Sequence, residues 1–510
     1  MRWVYNKEDY LYVMSQLGII LVIISVVMFF PVLMAFYYQE HVAYRPFLAG
    51  AVLSALIGMI FRLITHVYFN FYSDSITFER KHAVGMVVLS WPLVSIPSAL
   101  PMYLLKPAAQ NISYLDAYFE SVSGWTTTGL TTFGGQADLF LHSVNFWRHF
   151  MQYLGGLGII VMGLIILMPL KRWEDTMEMI VATGRDYRIS PSLLNTVKII
   201  GGIYIIIMLA GTALFYISGM PLFDSLCHSM SGLSTGGYSV NSNSFEAYYH
   251  SPAIVLAALP IMVIGNTNFV LTYYMLRGRI KTYFNDIESQ TFWSLLILFM
   301  SIFFILSVFE HENIWFFYEG RNYAGFYDVV FNVASALTTT GWNSTPYSVW
   351  SGLTFPVLFL IIIISMLVGA NTSSTGGGLK AMRVGVMLKS IYWQIEEIVL
   401  PDSVVSQKRI HHLEKKYIED ENLVKIFTFA LIYFIILFFS FVIFLIHGYG
   451  FFEAFFEVTS AIGTVGLSSG VTSMSLEPLL KIILIINMWL GRIEVLPLFY
   501  FIRYIMGRKL

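Results

Sequence analysis

Long uncharged runs recur along the chain, each close to the roughly 20 apolar residues that a bilayer-spanning helix needs. Ten such runs lie near 11–38, 47–68, 83–105, 149–170, 199–222, 253–276, 291–309, 353–370, 426–446 and 476–502. Arg62 interrupts the second, and Arg492 and Glu494 interrupt the last. Four further apolar stretches, near 114–125, 222–233, 325–337 and 450–462, are too short to cross and predict re-entrant or interfacial helices.

Composition strengthens this picture. The 510 residues are 57% hydrophobic and only 12% charged, against about 25% charged in a soluble domain. That excludes a cytosolic enzyme, a nucleic-acid binder and a disordered scaffold, and leaves a polytopic membrane protein in contact with lipid. The net charge of −1 is uninformative, but its distribution is not. With ten spans, Arg45, Lys106, Arg148, Arg321 and Lys481 fall on one side, and Arg62 and Arg492 lie within spans. Every other lysine and arginine falls on the side of the termini, which places both termini in the cytoplasm. The four short stretches then all lie on the outer side. A single cysteine, Cys227, excludes an intrachain disulfide and a cysteine metal site.

The short stretches are copies of one another: DAYFESVSGWTTTGL (116–130), DSLCHSMSGLSTGGY (224–238), DVVFNVASALTTTGW (328–342) and EAFFEVTSAIGTVGL (453–467). With Ser123, Ser231, Ser335 and Ser460 aligned, an acid stands seven residues before: Asp116, Asp224, Asp328 and Glu453. A polar residue stands three before: Glu120, His228, Asn332 and Glu457. A threonine follows four after and a glycine six after. One T-x-G is an ordinary turn, whereas four copies in register define a repeat of span, short helix, glycine turn and span. Four such units around an axis make a pore.

A short helix that ends midway through the membrane aims its carbonyl end inward, where its dipole favours a cation. The extended segment after it is tolerated at that depth only where it lines a water-filled path, and glycine supplies the dihedrals that turn carbonyls towards one axis. Such carbonyl rings can replace the hydration shell of K⁺, and Thr464-Val465-Gly466 comes closest to the start of the potassium-channel TVGYG loop.

These motifs, with LGGLGIIV (154–161), GANTSSTGGGLKAMR (369–383) and MWLGRIEVLPL (488–498), make the chain resemble the Trk/Ktr/HKT superfamily of potassium transporters, most closely its bacterial Trk-type membrane subunit. The implied fold is an all-α polytopic membrane protein with four tandem repeats around a pseudo-fourfold pore, plus two extra N-terminal transmembrane helices. The domains expected are a two-helix extension at 1–74 and repeats at 75–185, 186–285, 286–400 (with a broken second span) and 401–510. The resemblance implies K⁺ coordination in a selectivity filter by Thr127, Thr128, Gly129, Leu130, Thr235, Gly236, Gly237, Tyr238, Thr339, Thr340, Gly341, Trp342, Thr464, Val465, Gly466 and Leu467. Glycine at 129, where sodium-transporting plant relatives carry serine, implies K⁺. The second copy departs most, with Gly236 in place of threonine and GNTNF (265–269) where the family has Gly-Gly-x-Asn-Phe.

After the eighth span, Asn371, Thr372, Ser373, Ser374, Thr375, Gly376, Gly377 and Gly378 cannot form a regular lipid-facing helix. The resemblance makes them, with Lys380, the gating loop; the plain alternative is a flexible linker. Arg492 within the last span costs about 2.5–3.5 kcal/mol on insertion scales and must face water or a partner. The resemblance makes it a positive barrier below the filter, with a buried carboxylate pair as the alternative. Glu494 lies on another helix face. Glu120, Asn332 and Glu457 are expected to brace the filter from behind, His228 to act as a structural donor, and His411 and His412 to be solvated.

The hydrophilic stretches at 171–198 and 380–425 are the candidate docking surfaces. The resemblance implies a homodimer, a cytosolic ring of NAD- or ATP-binding regulatory subunits and a bacterial inner-membrane location, with no nucleotide bound by this chain. Residues 369–383 do not fit the G-x-x-x-x-G-K-[ST] loop. The function read from the whole is gated potassium uptake, channel-like or coupled to H⁺ or Na⁺, with a K⁺/Na⁺ symport among the alternatives. The other is a secondary transporter of another small solute. DDxxD, HExxH and Ser/Lys dyads are missing from the spans, which argues against an intramembrane enzyme.

Overall fold

The computed structural model describes residues 5–72, 79–105, 112–134, 136–167, 193–248, 251–309, 316–318, 321–323, 326–344, 356–401 and 407–506. Most of the 171–198 stretch and the outer end of the eighth predicted span lie outside them, as does residue 135 after the first turn.

The chain opens with α1 (Lys7–Val27) and α2 (Phe29–Tyr37), which together make one apolar segment, and α3 (Tyr44–Tyr72), so two spanning segments precede the repeats. The first repeat is α4 (Arg80–Leu104), α5 (Tyr114–Trp125) and α6 (His142–Leu167). The second is α7 (Leu193–Ile217), α8 (Leu222–Leu233), α9 (Pro252–Asn266) and α10 (Phe269–Leu276), followed by the connector α11 (Ile280–Asn285). The third is α12 (Ile287–Phe309), α13 (Phe326–Leu337), α14 (Pro356–Val368) and, after a loop, α15 (Ala381–Val399). The fourth is α16 (Asp420–Ile446), α17 (Phe451–Gly463), α18 (Pro478–Ile493) and α19 (Leu496–Met506). Two small antiparallel hairpins complete the described fold: β1 (Phe316–Tyr318) with β2 (Arg321–Tyr323), and β3 (Arg409–His412) with β4 (Glu414–Tyr417).

The four short helices stand within one residue of their predicted positions, and their ends follow from capping. At α5 the Ser113 hydroxyl accepts from the Asp116 amide at 3.2 Å while the Asp116 carboxylate accepts from the Ser113 amide at 3.0 Å, a reciprocal capping box. Asp116 also accepts from Lys481 of α18 at 2.6 Å, a buried pair between the first and last repeats.

Repeats pack cyclically. The second span of each touches the short helix of the next: α6 on α8, α9 on α13, α14 on α17, and α18 back on α5. The termini share one face, where the Tyr5 amide donates to the Tyr504 carbonyl at 2.9 Å.

The spans themselves are less regular than ten straight rods. Among the described residues, five helical segments are long and apolar enough to cross a membrane unbroken: 7–37, 41–68, 80–104, 195–217 and 420–446. The predicted 253–276 span breaks at Thr267-Asn268 and bends by 111°, and the predicted 476–502 span breaks at Glu494-Val495 and bends by 95°. Glu494 and Val495 both adopt positive φ, +62° and +50°, which ends α18 abruptly.

Candidate functional site

Each short helix ends the same way. Thr127, Thr235, Thr339 and Thr464 take left-handed φ of +52°, +49°, +56° and +49°. Their amides donate to Gly124, Gly232, Ala336 and Ala461, while the next amides reach back to the carbonyls of Ser123, Ser231, Ser335 and Ser460 at 2.8–2.9 Å. This is the double bond pattern of a Schellman stop, with threonine where glycine is usual. A β-branched residue in that region is strained by about 1–2 kcal/mol, and strain held in four equivalent places marks a functional backbone.

Two residues on, Gly129, Gly237, Gly341 and Gly466 have φ of +89°, +79°, +86° and +96°. Their lack of a side chain closes a ring. A Cβ on Gly129 would strike the carbonyl oxygen of Gly236, one on Gly237 that of Thr340, one on Gly341 that of Val465, and one on Gly466 that of Thr128. The four turns therefore meet edge to edge in chain order and return to the start. A cavity of about 360 Å³ opens beside this ring, bordered by all four glycines and by Arg148 and Tyr238. Leu130, Trp342, Val465 and Leu467 are buried behind the ring.

The bracing column is also fourfold. Glu120 accepts from the Thr131 hydroxyl at 2.9 Å, His228 Nε2 lies 3.0 Å from the Ser239 hydroxyl, the Asn332 amide donates to Ser344 at 3.0 Å, and Glu457 accepts from Ser468 at 2.5 Å. Each short helix thus holds the chain just beyond its own turn. Glu120 additionally pairs with Arg148 of α6 at 2.6 Å, both buried, and Glu457 gathers Ser469 and Thr472 as well.

Gln152 was not apparent from the sequence. Its amide lies where a side chain on Gly236 would stand, donating to the Gly236 carbonyl at 2.5 Å and accepting from the Ser231 hydroxyl at 2.9 Å. In the first and third copies the equivalent space holds threonine hydroxyl pairs, Thr126 with Thr128 and Thr338 with Thr340, both at 2.8 Å. The odd glycine of the second copy is thereby explained. Its turn differs in one more way: the Tyr238 carbonyl accepts from the Trp342 indole at 3.0 Å.

Residues 369–380 lie directly under the ring and are buried throughout. The loop touches all four left-handed threonines. The Thr127 hydroxyl donates to the Thr375 carbonyl at 3.3 Å, and the Thr235 and Thr375 hydroxyls lie 3.1 Å apart. A Cβ on Gly376 would strike Thr339 Oγ1, and one on Gly377 would strike Thr464 Oγ1. The loop is not solvent-exposed. The loop is tied at every step: the Asn371 amide to Asn266, the Thr372 amide to Glu288 at 2.7 Å, the Ser373 carbonyl to the Phe269 amide, and the Ser374 hydroxyl to Asn371. Lys380 donates back to Gly376 at 2.5 Å, and the Gly378 φ of +79° permits close approach to Gly369.

Arg492 joins this assembly from α18. One guanidinium nitrogen donates to the Thr375 carbonyl and the other to Gly155 of α6 at 2.8 Å. Glu494 binds Arg383 of α15 at 2.7 Å.

One expectation is overturned. His412 is not solvated: it is 1% exposed and its Nδ1 lies 3.2 Å from Asp286. Burial draws its pKa down, yet Asp286, helped by Glu288, outweighs this and pushes it up to about 9.

Comparison with known proteins agrees along the whole chain. The family model TrkH, described as cation transport protein, matches residues 54–507. A cation transporter of Methanocaldococcus jannaschii, itself described as uncharacterized, is 32% identical over 496 residues, covering 96% of this chain and 95% of that one. The Trk system potassium uptake protein TrkH of Salmonella typhimurium is 29% identical over 494 residues, covering 94% and 96%. The crystal structure of the potassium transporter TrkH from Vibrio parahaemolyticus superposes with a TM-score of 0.81 at 25% identity, covering 96% of this chain and 98% of that one.

Proposed function

The chain belongs to the TrkH family of cation transport proteins, and from that premise we propose that it carries potassium into the cell through the axis of its four repeats. It is a multi-pass membrane protein of a transport family and not an enzyme. The carbonyls and hydroxyls of the four Thr-x-Gly turns replace the hydration shell of K⁺, the loop at 369–380 is the gate, and Arg492 is a positive barrier that also holds that gate. A single observation carries this reading: the turns form a closed ring, and one loop contacts the threonine of every copy from below.

The threonine hydroxyls add to it. Thr339 Oγ1 and Thr464 Oγ1 are buried without a hydrogen-bond partner, a costly state that an ion on the axis relieves. In the proposed orientation both termini are cytoplasmic. The surface around β3 and β4 then faces the cytosol, where a nucleotide-binding regulatory ring of the Trk type docks on a homodimer. This chain itself supplies no nucleotide site in that scheme.

The test is ⁸⁶Rb⁺ uptake into proteoliposomes with K⁺, Na⁺ or choline as competitor. Competition by K⁺ over Na⁺ is the expected result, with uptake lost in Gly129→Ser, whose Cβ would strike the Gly236 carbonyl. Uptake indifferent to K⁺, together with movement of another solute, would replace the pore by a carrier.

A further inference from the structure

The buried His412 belongs to a cluster that the transport path does not use. Asp286, at the end of α11, Glu288, in the first turn of α12, and His412, on β3, each place one ligand atom within 4.8 Å of the other two. All three are at most 1% exposed. Asp286 is held in position by the amides of Glu288 and Leu413, at 2.9 and 2.8 Å. Glu288 gives one oxygen to the Thr372 amide at 2.7 Å. Its other oxygen, Oε2, is buried with no hydrogen-bond partner, and so is His412 Nε2.

Two unpartnered polar atoms in one buried cluster cost about 1–3 kcal/mol each, and more for a charged group. The donor set is one that metals use: two carboxylates, a ring nitrogen, and backbone amides that orient the acid. We propose that Asp286, Glu288 and His412 bind a first-row divalent cation such as Mn²⁺ or Zn²⁺. The imidazole selects against Mg²⁺ and Ca²⁺, which favour oxygen ligands alone. Two carboxylates balance the ion's charge. An occupied site ties the β3–β4 hairpin to α12 and, through Glu288, to the loop at Thr372. The binding itself does not rest on the transport reading.

The experiment uses the full-length protein in detergent, stripped with a chelator, dialysed against Mn²⁺ or Mg²⁺ and assayed for bound metal. About one Mn²⁺ per chain is expected, with little Mg²⁺. Affinity should fall by about tenfold or more, about 1.4 kcal/mol, in Glu288→Gln and in His412→Gln, and should be kept in His447→Gln, which lies outside the cluster. The wild-type protein alone gives a second readout independent of how the variants fold: pulsed electron paramagnetic resonance of bound Mn²⁺ should show coupling to an imidazole nitrogen. No bound Mn²⁺, no nitrogen coupling, or equal affinity in well-folded variants would each overturn the site.

Discussion

The axial ring and the loop beneath it meet face to face but are built differently. In the ring, four copies repeat one backbone geometry, threonine at φ of +49° to +56° and glycine at +79° to +96°, stabilised largely by main-chain bonds within each copy. The loop at 369–380 exists once and is held by groups from elsewhere, including Asn266, Glu288, Arg492 and the ring threonines themselves. A fourfold main-chain structure is rigid because every part excludes alternatives. A single loop held by side chains from α9, α12 and α18 can be released by changing any of them. That division suits the selective ring and movable gate proposed above.

The comparison breaks most decisively at the ring. Gly466→Ala adds a Cβ that strikes the Thr128 carbonyl at a backbone angle alanine avoids, so ⁸⁶Rb⁺ uptake should drop to the level of empty liposomes. Uptake retained in that variant would mean the ring is softer than its contacts. Next, Arg148→Met leaves Glu120 buried and unpaired, a loss of about 3–5 kcal/mol that thermal unfolding should register. A variant as stable as wild type would show that the brace carries no strain.

Loosening the lower layer should act in the opposite direction on flux. Arg492→Ala frees the Thr375 carbonyl from its tether to α6, and uptake should rise about tenfold, equivalent to lowering a barrier by about 1.4 kcal/mol. Lower uptake with unchanged folding would make the arginine part of the path. Gln152→Ala should weaken K⁺ preference over Na⁺ through the second turn alone, and adding Gly236→Thr to it should restore part of that preference. The smallest effect is predicted for Thr464→Gly. Relief of its left-handed strain should stabilise the fold by about 1 kcal/mol while selectivity declines for want of a hydroxyl. A fall in melting temperature would argue against strain at that position.

The difference between the layers also governs what could be read from sequence. Asp116, Glu120, Ser123, Thr127 and Gly129 were legible because the same offsets recur three more times, and a repeat reveals its register without any knowledge of contacts. The loop was legible only as composition, since eight small or polar residues cannot span. Its partners Asn266 and Glu288 are 105 and 84 residues away from the amides they bind, and nothing local marks them. Gln152 was invisible for a similar reason: it compensates for Gly236 from 84 residues off. The bends at Thr267 and Glu494 were masked by apolar runs long enough to span, because hydropathy averages over the single residues where a helix turns. His412 sits in a charged segment, which in isolation predicts exposure; only the fold brings Asp286 to it.

The glycine contacts run from each repeat to the next and finally from Gly466 back to Thr128, and that last link has a consequence for how the protein is made. The first three quarters of the ring emerge from the ribosome with one side missing. Until the last repeat is in place, the Thr128 carbonyl of the first turn lacks its neighbour Gly466. Synthesis at about 5–20 residues per second leaves the unfinished ring open for many seconds, so a chain stopped short of residue 466 carries not a smaller ring but an open-sided one, a natural target for membrane quality control.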